Sequence, residues 1–159
     1  AEAVGCGAVR FNIIRVAPDK GVNFRWEEAL SFDGDSAPFM MYAHARSCSI
    51  LRRLESMDQA VPNTFDPFLL SEQGEAFDTL LMHIMDHDDV LQRVVTDHRP
   101  QTYARWALDL AAAFNAFYRD CPVILDEGVD PIRAWMCRLA QSHLLRACWA
   151  LGLEPLREM

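Results

Sequence analysis

From Pro131 to Leu151 the chain reads PIRAWMCRLAQSHLLRACWAL, and its large apolar residues (Ile132, Trp135, Met136, Leu139, Leu144, Leu145, Trp149) fall on nearly every side of a helix drawn through them. A helix that is apolar all round cannot lie on a surface with one face in water. It needs neighbours on several sides, which is the place of a central helix in a bundle. Gly152 follows where a left-handed residue would end the helix, and Pro155 keeps the tail from continuing it. This segment therefore demands several other helices.

The remaining sequence can supply them. Pro100 is placed to open a helix whose buried stripe is Tyr103, Trp106, Ala107, Leu110, Phe114 and Phe117, with Arg105 and Asp109 on the opposite face. Ser71 can cap a helix that buries Phe77, Leu80, Leu81 and Ile84. The His87-Asp88-Asp89 run then interrupts it before a short helix carrying Leu91, Val94 and Val95. Residues 1–17 are small and apolar and read as a helix with Gly5 and Gly7 near its start, followed by a loop at 18–23 that turns on Lys20-Gly21. Trp26 to Phe32 reads as a short helix ended by Asp33-Gly34-Asp35. Ser36 then caps a longer helix, with Pro38 tolerated in its first turn, that runs to about Glu55. Residues 58–66, with Pro62, Asn63 and nearby Pro67, read as a linker. No segment alternates convincingly as a strand, and no repeat is visible. The expected fold class is all-α, a helical bundle.

At 159 residues the chain can bury a core without covalent staples. No apolar run approaches the ~20 residues needed to span a bilayer, so no membrane partner is expected. Residues 1–15 lack the basic start and continuous apolar stretch of a secretory signal. The sequence opens abruptly on Ala1, as a piece of a longer protein would. The five cysteines (Cys6, Cys48, Cys121, Cys137, Cys148) are odd in number and share no close pairing. They read as free thiols used as small apolar groups in a reducing compartment, hence a cytoplasmic protein.

The net charge of −8 argues at first against a nucleic-acid partner. Its distribution weakens that argument. Residues 1–65 hold 7 basic and 8 acidic groups, whereas residues 66–100 alone hold 2 basic and 8 acidic ones. Arg46, Arg52 and Arg53 cluster on the Ser36-capped helix. Fourteen of the fifteen basic residues are arginine, whose planar fork suits phosphates and base edges.

On that same helix Phe39, Tyr42 and Arg46 stand at i, i+3 and i+7, placing two rings and a guanidinium on one side. Such a stripe suits stacking against unpaired bases and suits an ordinary packed core equally. Of the two rings Tyr42 is the one expected to face a ligand, because its hydroxyl needs a partner when buried. His83 and His87 share a face at i, i+4, with Asp86 and Asp88 beside them. No third ligand at fixed spacing stands out, so a solvated break between helices is favoured over a metal site. No nucleophile motif or phosphate loop occurs, and Cys48 has only Arg46 and Arg52 nearby to lower its pKa. No catalytic residue is assigned.

Four stretches carry a family resemblance. GCGAVRF (5–11) and FRWEEALSFDGDSAPFMMYAHARSCSILRR (24–53) resemble the end of the catalytic domain and the start of the anticodon-binding domain of arginyl-tRNA synthetases. LAAAFNAFYRDCPVI (110–124) is similar to that family's helix with an Asn-x-Phe-Tyr signature. GLEPLREM (152–159) is similar to its closing Gly-Leu-x-Pro…Met. Cysteinyl-tRNA synthetases have a related helical domain without the first block.

The resemblance implies a class I synthetase that attaches arginine to its tRNA with ATP and magnesium. Its catalytic domain carries His-x-Gly-His and Lys-Met-Ser-Lys motifs, neither of which is in this sequence. By resemblance, residues 1–35 would be the end of that domain with its junction helices, and residues 36–159 the helical DALR domain that grips the anticodon stem and loop. The RNA-facing residues would be Phe39, Tyr42, Arg46, Arg53 and Met159, with Arg52 also on phosphates and no cofactor in this part of the protein. No DNA partner is implied, and the expected state is a monomer. Phe39 stands where the family often has tyrosine, so only stacking survives there. Arg133 and Arg138 bracket AWMC, where small residues and leucine are commoner, and whether either faces RNA is open. The rival reading is a helical protein-interaction bundle derived from the same domain without catalysis.

Overall fold

The computed structural model describes residues 1–63, 70 and 73–159. Among them are seven helices: α1 (Glu2–Ile14), α2 (Trp26–Ala29), α3 (Ala37–Ser56), α4 (Glu75–Met85), α5 (His87–Asp97), α6 (Pro100–Asp120) and α7 (Pro131–Ala150). A two-stranded antiparallel hairpin, β1 (Ile124–Leu125) and β2 (Gly128–Val129), joins α6 to α7. The fold is all-α, as expected. The hairpin was not foreseen, because two residues per strand are too few to show alternation.

Helix α7 packs on α3, α4 and α6, which is what its apolar sequence demanded. It buries Ile132, Ala134, Met136, Cys137, Ala140, Leu144, Ala147 and Cys148. Trp149, in the last turn, departs from the expectation and is 64% exposed. Asp130 caps the helix, accepting from the amides of Ile132 (2.9 Å) and Arg133 (3.0 Å). At the other end Gly152 adopts a φ of 66°. The Leu153 amide donates to Cys148 O (2.8 Å) and the Gly152 amide to Trp149 O (3.0 Å), the paired bonds of a Schellman motif.

Helix α6 follows its sequence pattern closely: Tyr103, Trp106, Ala107, Leu110, Phe114 and Phe117 are all buried. On its exposed side Arg105 pairs with Asp109 (2.9 Å) and with Asp35 (3.3 Å), tying the loop before α3 to α6. Helix α4 lies on α6, and α5 packs on α6 and α4. The expected interruption at His87-Asp88-Asp89 is the first turn of α5 instead, where the two carboxylates sit favourably at a helix N-terminus. Val90 is buried there, whereas Leu91 and Val95 are exposed. Ser71 as a cap, residues 64–66 of the expected linker and the nearby Pro67 lie outside the described residues; Gly74 is the residue before α4.

The second predicted helix is shorter than expected, ending at Ala29. Helix α1 packs on α3 and α6, and its Phe11 joins the common core. At Gly7 the packing is close: a Cβ there would lie in van der Waals contact with the side chains of Leu153 at 3.4 Å and Met41 at 3.5 Å. No described helix is long and apolar enough to cross a membrane.

Candidate nucleic-acid interface

The start of α3 is built by one serine. Ser36 Oγ accepts from the Phe39 amide (3.2 Å) and donates to Ser31 O, so a single hydroxyl caps the helix and holds the preceding loop against it. That loop presents Phe32, 53% exposed, edge-on to the Tyr42 ring at 6.2 Å between centroids. One turn into α3, Tyr42 and Arg46 are i, i+4 neighbours, and Arg46 Nη2 donates to Tyr42 Oη at 2.7 Å. Its Nη1 donates to Asn115 Oδ1 of α6 at 3.0 Å. The guanidinium carbon lies 4.5 Å from the ring centroids of both Tyr42 and Tyr118, so one arginine from α3 locks two phenols from two helices by cation–π contact and hydrogen bonding.

The outer faces of these groups line an open groove of about 410 Å³ with Ala45, Ser49, Arg52, Glu158 and Met159. Tyr118 is 45% exposed and Met159 47%. Tyr118 and Ser49 also line an adjoining pocket of about 260 Å³, completed by Ile50, Arg53, Pro122, Val123 and Ile124. The unforeseen hairpin thus forms part of a second wall.

Among the expected residues, Tyr42, Arg46 and Met159 share the groove and Arg53 lines the neighbouring pocket. Phe39 is half-buried against the core and does not line the groove. The three arginines differ in use. Arg46 is held between tyrosines. Arg52 pairs with Glu158 and donates to Arg157 O, which fastens the tail. Among the described residues the Arg53 guanidinium is exposed and without a partner. Neither Arg133 nor Arg138 joins this surface: Arg133 bonds Gln73, Pro122 O and Asp130, and Arg138 bonds Pro62 O and Asn63.

Sequence reasoning missed Tyr118, Asn115 and Phe32 as site residues. The first two sat in a quoted signature, but nothing in the spacing says that α6 turns its last rings toward α3.

A second aromatic cluster lies nearer the start of α6. His87 lies tilted against Trp106 (4.8 Å) and edge-on to His143 (5.4 Å) and approaches Tyr103 Oη with its Nε2 at 3.3 Å. Burial raises the Tyr103 phenol to about 12. His83 and His87 fall on different helices, and among the described residues no group of His, Cys, Asp or Glu is arranged to hold a metal ion.

Fold and groove together define an all-α module with an aromatic–arginine cleft at one end of the bundle. The chain belongs to the DALR anticodon binding domain family, which it matches over residues 40–159. It is 41% identical over 160 residues to an arginine–tRNA ligase of Methanocella arvoryzae, and 37% identical over 156 residues to that of Methanocaldococcus jannaschii. The matches cover 100% and 98% of this chain but 27% and 26% of those proteins, of which it corresponds to the C-terminal portion. The arginyl-tRNA synthetase of Thermus thermophilus superposes with a TM-score of 0.82 at 30% identity, over 99% of this chain and 27% of that one. That of Plasmodium falciparum, at 20% identity and a TM-score of 0.77, shares the fold.

Proposed function

We propose that this module binds the anticodon stem-loop of a tRNA, as part of a cytoplasmic, monomeric arginine–tRNA ligase. The observation that carries the reading is the Tyr42–Arg46–Tyr118 assembly: two phenols held rigidly by one guanidinium, each offering a face to an open groove. Anticodon bases are unpaired, and unpaired bases stack on aromatic rings and on guanidinium planes. Arg46 in this reading organises the rings, Arg53 and Arg52 meet phosphates, and Met159 offers a polarisable apolar wall. Phe39 supports the ring-bearing turn from the core side and does not stack on RNA. The attachment of arginine, with ATP and magnesium, would belong to the larger part of the relatives that this chain does not span.

The carboxylates in the first turn of α5 lie away from this face, whereas Glu75 of α4 comes near Ala116 and Asp120 of α6. Helix α5 covers the Tyr103–Trp106 end of α6, and twelve residues separate Trp106 from Tyr118, about 18 Å along the helix axis. At 0.1 M salt that distance exceeds the screening length of about 10 Å.

The test is binding of the chain to an anticodon stem-loop RNA. Tyr42→Ala and Tyr118→Ala should each weaken it, and an abasic loop should bind both variants and the parent chain alike. Full affinity of the double variant would contradict the assignment of the groove.

A further inference from the structure

Residues 152–159 close one side of the groove, yet apart from the turn at Gly152 they belong to no helix or strand. Something else must fix them. Leu153 is buried, and Arg10 donates to Gly152 O at 2.6 Å, which holds the first residues of the tail. Arg52 reaches Arg157 O and Glu158 from an exposed position, a type of contact that contributes little in water. Between these lies an interior anchor. His44, 1% exposed in the middle of α3, has its Nδ1 2.9 Å from Leu156 O. Its Nε2 lies 3.1 Å from Gln141 Nε2 of α7 and 3.6 Å from Cys48 Sγ.

The partners dictate the tautomer. A carbonyl oxygen can only accept, so Nδ1 carries the proton toward Leu156; the Gln141 amide nitrogen can only donate, so Nε2 offers its lone pair. Both ring nitrogens are matched, and α3, α7 and the tail meet at one imidazole. Of the groups facing the ring, Cys48 comes from α3, the uncharged Gln141 from α7 and the cationic Arg157 from the tail. Burial and the Arg157 charge lower the His44 pKa, in keeping with a neutral ring.

We infer that His44 is a positioning residue for the groove: its Nδ1–H bond to Leu156 O sets the path of the tail and thereby the wall made by Glu158 and Met159. The consequence for RNA rests on the proposed use of the groove; the anchoring of the tail does not.

Two polar replacements separate the ring nitrogens. In His44→Asn the side-chain amide lies where Nδ1 was and can still donate to Leu156 O. In His44→Gln it lies where Nε2 was, satisfying Gln141 but leaving Leu156 O without its donor. Two readouts apply: amide hydrogen exchange of residues 152–159 without RNA, and the Kd for an anticodon stem-loop. His44→Gln should speed exchange in the tail and weaken binding about tenfold, the scale of one hydrogen bond. His44→Asn should stay within about threefold of the parent chain, since the donor is kept. Deleting residues 157–159 should cost as much affinity as His44→Gln, and the combination no more than either. Equal tail exchange in the Asn and Gln variants would overturn the inference, as would independent, multiplying losses for His44→Gln and the deletion. If Tyr42→Ala weakens binding while His44→Gln does not, this inference alone falls. If Tyr42→Ala, the deletion and His44→Gln are all silent toward RNA, the groove reading falls with it.

Discussion

Helix α6 carries a tyrosine near each end, and the two have opposite fates. Tyr103 sits with Trp106, His87 and His143 beneath α5 and is 5% exposed; Tyr118 sits with Tyr42 and Arg46 and is 45% exposed. The ingredients are alike: rings from neighbouring elements around a nitrogenous side chain. What differs is the cover. At Tyr103 a whole helix lies over the cluster, burial pushes the phenol to about 12, and its hydroxyl is matched by His87 Nε2. At Tyr118 residues of α3, the tail and the first strand of the hairpin line open space beside the ring, and an arginine rather than a hydrophobic partner lies between the two phenols. An aromatic stripe therefore becomes core or open surface according to its neighbours, not its own composition.

The largest effect should come from breaking the sealed cluster. Trp106→Ala removes a buried ring and leaves His83 O without its indole donor (2.9 Å), so a loss of about 3–5 kcal/mol is expected from urea unfolding. RNA affinity measured well below the unfolding midpoint should be unchanged. The open cluster should answer in the reverse sense. Tyr118→Ala should weaken stem-loop binding by about 1–3 kcal/mol per lost base stack while the unfolding midpoint moves little.

Arg46→Lys sharpens the open side further. It keeps the charge but removes the planar fork that bonds Tyr42 and Asn115 and faces both rings, so affinity should fall by roughly 1 kcal/mol with the salt dependence unaltered. Arg53→Gln should do the opposite. One exposed phosphate contact fewer lowers the slope of log K against log salt by about 0.7–0.9, with a small change in affinity at high salt.

A pH effect separates stability from binding in another way. Burial depresses the pKa values of His44 and His143 below the ordinary histidine value of 6.5. Below 6.5 the unfolded chain binds protons that the folded chain refuses, so stability rises with pH in that window. Urea midpoints should be level above about pH 7 and decline as the pH falls through 6 and lower, with a shallower decline in His44→Asn.

Much of this molecule was legible in its residues. The period of Tyr103 to Phe117, the Ser36 cap and the Gly152 stop each rest on local chemistry, and each element stands where its residues required. The hairpin and the length of α2 escaped, because two-residue strands and a one-turn helix carry no period. Tyr42, Arg46 and Met159 share one groove, and Phe39, one turn toward the cap, packs partly against the core and does not line it. Tyr118 and His44 were hidden for a plainer reason. Their roles depend on residues 72 and 112 positions away, across helix packings that no local pattern encodes.

The chain has three tyrosines, two in the open groove and one in the sealed cluster, so tyrosine-selective isotope labelling gives three ring signals to follow as anticodon stem-loop RNA is added. The Tyr42 and Tyr118 signals should shift and saturate together while Tyr103 stays still. Saturable binding that leaves Tyr42 and Tyr118 unmoved, or that moves Tyr103 instead, would contradict the assignment of the groove between α3, α6 and the tail.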